Sequence, residues 1–82
     1  LCQADLRGAV LVKTDLSGAD LTDAQLPNNL AGVNFSYAKL INCDLRSANL
    51  VGADLTGADV TGVNFAGADL TNANLSGVDL RD

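Results

Sequence analysis

An all-β solenoid is the fold class this sequence predicts. Three observations carry it. A large apolar residue recurs at every fifth place along most of the 82 residues. A small residue stands two places before each of them, and turn-forming polar residues or glycines fill the intervals. Self-similarity of this kind outranks local propensity in fixing an architecture.

The large residues, called centres below, fall into two registers. One carries Leu1, Leu6, Leu11, Leu16, Leu21 and Leu26; the other runs from Phe35 through Leu40, Leu45, Leu50, Leu55, Val60, Phe65, Leu70 and Leu75 to Leu80. The position two before each centre holds Ala, Val or Cys, with Thr14 as the one polar exception. The position just before each centre is Asp or Asn, except at Val10, Gln25 and Lys39. Ser, Thr or Arg often follows the centre, and Gly often comes next, so the consensus reads Ala-(Asp/Asn)-Leu-(Thr/Ser/Arg)-Gly.

Neither regular element accommodates that consensus over a long run. A helix turns by about 100° per residue, so a period of five smears the leucines around its axis. A long strand alternates its faces, and an odd period reverses the parity at every repeat. One short alternation does survive in each pentad: small residue in, polar residue out, centre in. The next two residues have turn chemistry. Each pentad is therefore an extended side plus a corner. A chain that bends the same way at every corner buries all its centres by coiling, and coils stack.

The interval from Leu26 to Phe35 is nine residues, where the period asks for five or ten. Two readings exist. Pro27, Asn28, Asn29 and Leu30 bulge out as a four-residue loop at a corner, or Leu30 is itself a centre and one residue is missing. The second reading puts Asn28 at an inward position, where a buried amide needs partners. A short loop costs little closure entropy, so a loop insertion over 27–30 is the expectation. It gives sixteen centres and about four coils of four pentads, with columns such as Leu1/Leu21/Leu45/Phe65, Leu6/Leu26/Leu50/Leu70, Leu11/Phe35/Leu55/Leu75 and Leu16/Leu40/Val60/Leu80. It also stacks Asp20 on Asp44 and places Phe35 and Phe65 on different sides.

On these repeats the chain resembles the pentapeptide repeat family, and the resemblance covers nearly its whole length. It implies a right-handed quadrilateral β-helix with the centre and the residue two before it pointing inward. It also points to a cyanobacterial or plastid-type member. Residues 1–82 are expected to be a single domain, and the start at Leu1 suggests a processed or excised piece.

Composition excludes several functions. There is no His, so no His-based triad, imidazole base or His metal ligand. Ten Asp against five Lys plus Arg give a net charge of -5, the wrong sign for binding nucleic acid or anionic lipid. No run of 18 apolar residues is present to span a membrane. The Asp-rich faces read as solvated carboxylates bonded to turn amides. Asp59 with Asp79 is the pair to consider for Ca²⁺ or for glycosidase-type acid–base work, but the repeat enforces their spacing and no loop wraps an ion. Gly52, Gly57, Gly62 and Gly67 are corner residues, not a phosphate cradle.

Cys43, at an inward position, reads as inert filler, and Cys2 as exposed; nothing forces a disulfide between them. Tyr37 points outward from a corner, where Leu30, Ile41 and Val51 would add apolar surface. Catalytic, cofactor and metal residues are therefore expected to be none. The expected role is a structural or protein-binding scaffold, with a protein partner or end-to-end self-association. The alternative implied by the resemblance is a DNA mimic that regulates a type II topoisomerase.

Overall fold

The computed structural model describes residues 2–79, so Leu1 and Leu80 of the expected columns lie outside the described residues. Most pentads join a neighbouring turn through an isolated parallel bridge, made by the residue just before the centre. Bridged residues are twenty apart in most of the chain, as in Asp5 with Gln25 and Asn34 with Asp54, which is four pentads per turn. The chain is thus a β-helix in which every extended side is too short to count as a strand. Its extents of 28 × 23 × 21 Å fit a short stack.

Three backbone bonds per inner pentad hold neighbouring turns together. The centre and the second corner residue donate upward, as Leu50 does to Asp69 O and Gly52 to Thr71 O, each at 2.9 Å, and the residue before the centre donates downward, as Asp54 does to Val33 O at 3.0 Å. The corner is closed by a fourth bond, as from Ala53 N–H to Leu50 O at 3.0 Å. The second corner residue has a left-handed backbone, with φ of 58° at Tyr37 and 73° at Gly77, the mark of a type II turn. Glycine relieves that strain at half the corners, while Asn42, Ser47 and Asp23 accept it.

The core is entirely apolar. Leu30, Phe35, Leu40, Leu50 and Leu55 are all fully shielded, and the residues two before them, such as Val33, Ala38 and Ala53, complete the interior. No buried polar side chain occurs among the described residues. Each large side chain so enclosed contributes roughly 1.5–3 kcal/mol. Leu6, Leu11 and Leu16 near one end, and Phe65, Leu70 and Leu75 near the other, are half-buried and pack against this core.

The loop expected over 27–30 is not present. Leu30 is a centre with no exposed surface, and Asn29 bridges Asn49. The spacing from Leu26 to Leu30 is four residues, so one corner has lost a residue. Asn28 escapes the feared burial: its side chain stays exposed, while its carbonyl takes the inward residue's place in the ladder and accepts from Asn49 N–H at 2.7 Å. The correction moves the two halves of the chain by one side relative to each other. Leu21 shares a column with Leu40 and Val60, Leu26 with Leu45 and Phe65, Leu30 with Leu50 and Leu70, and Phe35 with Leu16, Leu55 and Leu75. Phe35 and Phe65 remain on different sides.

This register also separates the surface charges. Asp20 stacks on Lys39, not on Asp44, and Lys39 in turn bridges Asp59. Asp15, Asn34, Asp54 and Asn74 alternate charged and neutral along another column. Like charges about 4.8 Å apart repel appreciably even in water. A neutral or basic residue between them doubles the distance.

The shortened corner has a local cost. Its neighbours above and below keep five residues, so it cannot stay in step with both on both flanks. Asp5–Gln25 and Asn29–Asn49 are bridged, whereas Gln25–Asp44 and Val10–Asn29 are not, among the described residues. Gly8, in the corner directly beneath, is the one described second-corner glycine without a positive φ.

Candidate functional site

Seven of the ten Asp carboxylates are committed to the turns. Asp15 Oδ1 accepts the backbone N–H of Ser17 at 3.0 Å and its hydroxyl at 2.7 Å. Asp20 with Thr22, Asp54 with Thr56, Asp59 with Thr61 and Asp69 with Thr71 repeat the motif. Asn34 and Asn74 serve the same amide without charge. This is why the position before the centre is Asp or Asn: only a short side chain with an acceptor reaches the N–H two residues on. Gln25 is excused, because the residue two after it is Pro27, which has no N–H.

These bonds favour the ionised form. The Thr22 hydroxyl and amide hold Asp20 down to about 2 from the ordinary 3.8, aided by Lys39. Arg7, bonded through its side chain, holds Asp5 at about 2. Asp15, Asp44, Asp54, Asp59 and Asp69 are lowered for the same kinds of reason, hydrogen bonds first. A folded value below the unfolded one gives stability that is fully present above the unfolded value and lost as pH falls through the folded one. Stability is therefore expected to be flat above about pH 5 and to decline from about pH 4 towards 2. Urea unfolding at a series of pH values reads this; a protein equally stable at pH 2.5 and pH 7 would contradict it.

Asp59 and Asp79 both border a shallow hollow of about 280 Å³ together with Gly57, Gly77 and Val60. Asp59 already accepts from Thr61 and is held low, so nothing prepares it as a proton donor. Among the described residues no three acids or cysteines gather as metal ligands.

Cys43 is enclosed, and its thiol donates to Leu21 O at 3.2 Å. Burial pushes its pKa up to about 11. Cys2 is exposed and free, with a hydrogen bond to Asp20 raising its pKa. One thiol per folded chain is accordingly expected to react with a disulfide reagent at pH 8, and Cys43 only after denaturation. Modification of both in the native state would contradict the inward placement of Cys43.

Tyr37 is 70% exposed and lies over Gly57, where an added Cβ would stand 2.6 Å from its ring. Leu30 does not join it at the surface, because Leu30 is in the core. Val10, 88% exposed, is the most exposed large apolar residue described.

The feature that sequence reasoning missed is a cleft beside the shortened corner. It has a volume of about 680 Å³ and draws its lining from three successive turns: Arg7 from one, Asp23 to Asn28 from the next, and Asn42 to Ser47 from the third. It opens where the Gln25–Asp44 bridge is unmade. Arg7 and Arg46 stand on one rim, each tied to the Asp two residues earlier, with Arg7 to Asp5 at 2.8 Å and Arg46 to Asp44 at 2.7 Å. Asp23 and Asn42 stand on the other rim. A signal was legible: of the three positions where Asp or Asn is replaced, Val10 and Gln25 are each members of an unmade bridge.

Comparison with known proteins gives a consistent result. The family model "Pentapeptide repeats" matches with eight copies over residues 1–28, 29–65 and 48–82. A solved pentapeptide repeat protein from the cyanobacterium Cyanothece is 34% identical with a TM-score of 0.62, covering 94% of this chain and 56% of its own. HetL, a pentapeptide repeat protein from a Nostoc cyanobacterium involved in regulating heterocyst differentiation, is 34% identical with a TM-score of 0.52, covering 98% and 46%. A thylakoid-lumen pentapeptide repeat protein of Arabidopsis thaliana is 27% identical over 100% of this chain and 68% of its own, with a TM-score of 0.41. The chain spans about half the length of the two cyanobacterial structures. No curated protein matches its sequence.

Proposed function

Since the chain belongs to the pentapeptide repeat family, we propose that it is a non-enzymatic scaffold that presents a rigid surface to a protein partner. The observation that carries this is the commitment of the surface carboxylates. Of the ten Asp, five are bonded to a Ser or Thr hydroxyl and two to an Arg, and these seven are all held low, so none of the seven is poised to exchange a proton near neutral pH. The finer architecture is a right-handed quadrilateral β-helix of about four coils. No helix among the described residues is long and apolar enough to cross a membrane.

A DNA mimic would gain from a continuous acidic ridge. Here Asn and Lys separate most of the stacked carboxylates, which favours the scaffold. The half-buried end residues, Phe65 and Leu75 among them, also suit end-to-end association of copies.

The test is affinity capture of the intact chain from its own source, followed by reconstitution with the purified partner. A saturable one-to-one complex is expected. Absence of any reconstituted complex, together with inhibition of gyrase supercoiling by the purified chain, would replace the scaffold with the mimic.

A further inference from the structure

We infer that the corners carry a latch between stacked turns: the side chain of a left-handed corner residue occupies space that a glycine leaves open in the corner directly above it. Gly57 and Gly62 are then required by Tyr37 and Asn42, one turn below, as well as by their own backbone.

The first argument is placement. Lys13, Tyr37, Asn42 and Ser47 are corner residues with φ between 58° and 63°. Each donates its N–H to the carbonyl just before a glycine of the next turn: Lys13 to Ala31 O at 3.0 Å, Tyr37 to Thr56 O at 2.7 Å, Asn42 to Thr61 O and Ser47 to Ala66 O at 2.9 Å. That bond seats the four under Gly32, Gly57, Gly62 and Gly67 respectively. They follow Leu11, Phe35, Leu40 and Leu45, so one such pair stands at each of the four corners of the coil. Two described corners depart from the pattern. Gln3 lies under Asp23 and Asp23 under Asn42, and Asp23 and Asn42 stand where the cleft opens.

The second argument is space. A Cβ added at Gly57 would lie 2.6 and 2.7 Å from two ring carbons of Tyr37, and one at Gly62 closer still to Asn42 Oδ1. At Gly32 the nearest atom would be Lys13 Cγ at 3.0 Å. Non-bonded carbons sit best at about 3.5–4.0 Å. At Gly67 the nearest atom, Ser47 Oγ, is at an ordinary 3.4 Å, and an added Cβ at Gly52, which lies over Gly32, meets nothing within 4 Å. The φ angles of these five glycines span only 65° to 72°. Their own backbone does not tell them apart; the residue one turn below does.

The third argument is the stiffness of the ring. Tyr37 is 70% exposed, so a crowded ring swings into water and gives up its seat on the corner. The latch therefore also fixes the direction of an exposed aromatic side chain.

The experiment makes Gly52→Ala, Gly57→Ala, Gly62→Ala and Gly67→Ala singly in the intact chain and unfolds each in urea, followed by circular dichroism. All four place Ala in the left-handed region, which is unfavourable by itself. Gly52→Ala and Gly67→Ala are expected to raise the unfolding constant by similar factors, and Gly57→Ala and Gly62→Ala by about fivefold more. In a Tyr37→Gly background the excess at Gly57 is expected to vanish while the excess at Gly62 stays. Tyr37 is the only Tyr and the chain has no Trp, so the near-ultraviolet tyrosine band reports this ring alone. Gly57→Ala is expected to weaken that band in the folded state, and Gly52→Ala to leave it unchanged. If Gly57→Ala alone does not unfold cooperatively, the pair with Tyr37→Gly is expected to restore a cooperative transition. Equal losses at all four glycines, an excess at Gly57 that survives Tyr37→Gly, or a tyrosine band indifferent to Gly57→Ala would overturn the latch.

Discussion

Ala53→Asp is expected to abolish cooperative folding at pH 7. Ala53 is 1% exposed, two places before Leu50's successor Leu55, and it points into an interior that contains no buried polar side chain among the described residues. A carboxylate there has neither water nor a hydrogen-bond donor, and an unpaired buried charge costs several kcal/mol. That is comparable to the whole stability of a small domain, about 5–15 kcal/mol. Ala66→Asp is the matched control, because Ala66 is exposed just after Phe65. It is expected to change stability by less than about 0.5 kcal/mol. Circular dichroism through a urea titration distinguishes the two. Equal tolerance of both substitutions would mean that the inward and outward positions have been exchanged.

Phe35→Ala carries the next largest effect. Phe35 is fully enclosed and stacks between Leu16 and Leu55 in the turns on either side. Removing the ring leaves a cavity that flanking turns, fixed by ladder bonds such as Phe35 N–H to Asp54 O at 2.7 Å, cannot collapse to fill. The expected loss is about 3–5 kcal/mol. Phe65→Ala, at a half-buried position near one end, is expected to cost distinctly less. The pair is read by the shift in urea midpoint at constant slope. A larger loss at Phe65 would place the centre of the core elsewhere.

Most of the fold was legible because the repeat is a direct image of the backbone. Inward Ala and Leu, outward Asp, and a left-handed corner at every fifth residue leave one solution, and Cys43 fell where its place in the pentad put it. The join between the two registers was not legible in the same way. Burying Asn28 looked costly because side chain and backbone were assumed to turn inward together. In the structure only the carbonyl does so, and the amide side chain swings to solvent. Charge spacing favours the observed register, since it separates Asp20 from Asp44, and that criterion could have been applied to the sequence. The cleft was invisible for a related reason. It is made by a residue that is missing, and its rims come from corners that lie far apart in sequence but share one side of the coil.

Leu30→Ala tests the central claim most directly. If Leu30 is a centre, shielded completely and stacked against Leu50 in the next turn, the substitution is expected to lower unfolding free energy by about 2–5 kcal/mol in urea titrations. A change below about 0.5 kcal/mol, typical of an exposed loop, would contradict the shortened corner and the cleft beside it.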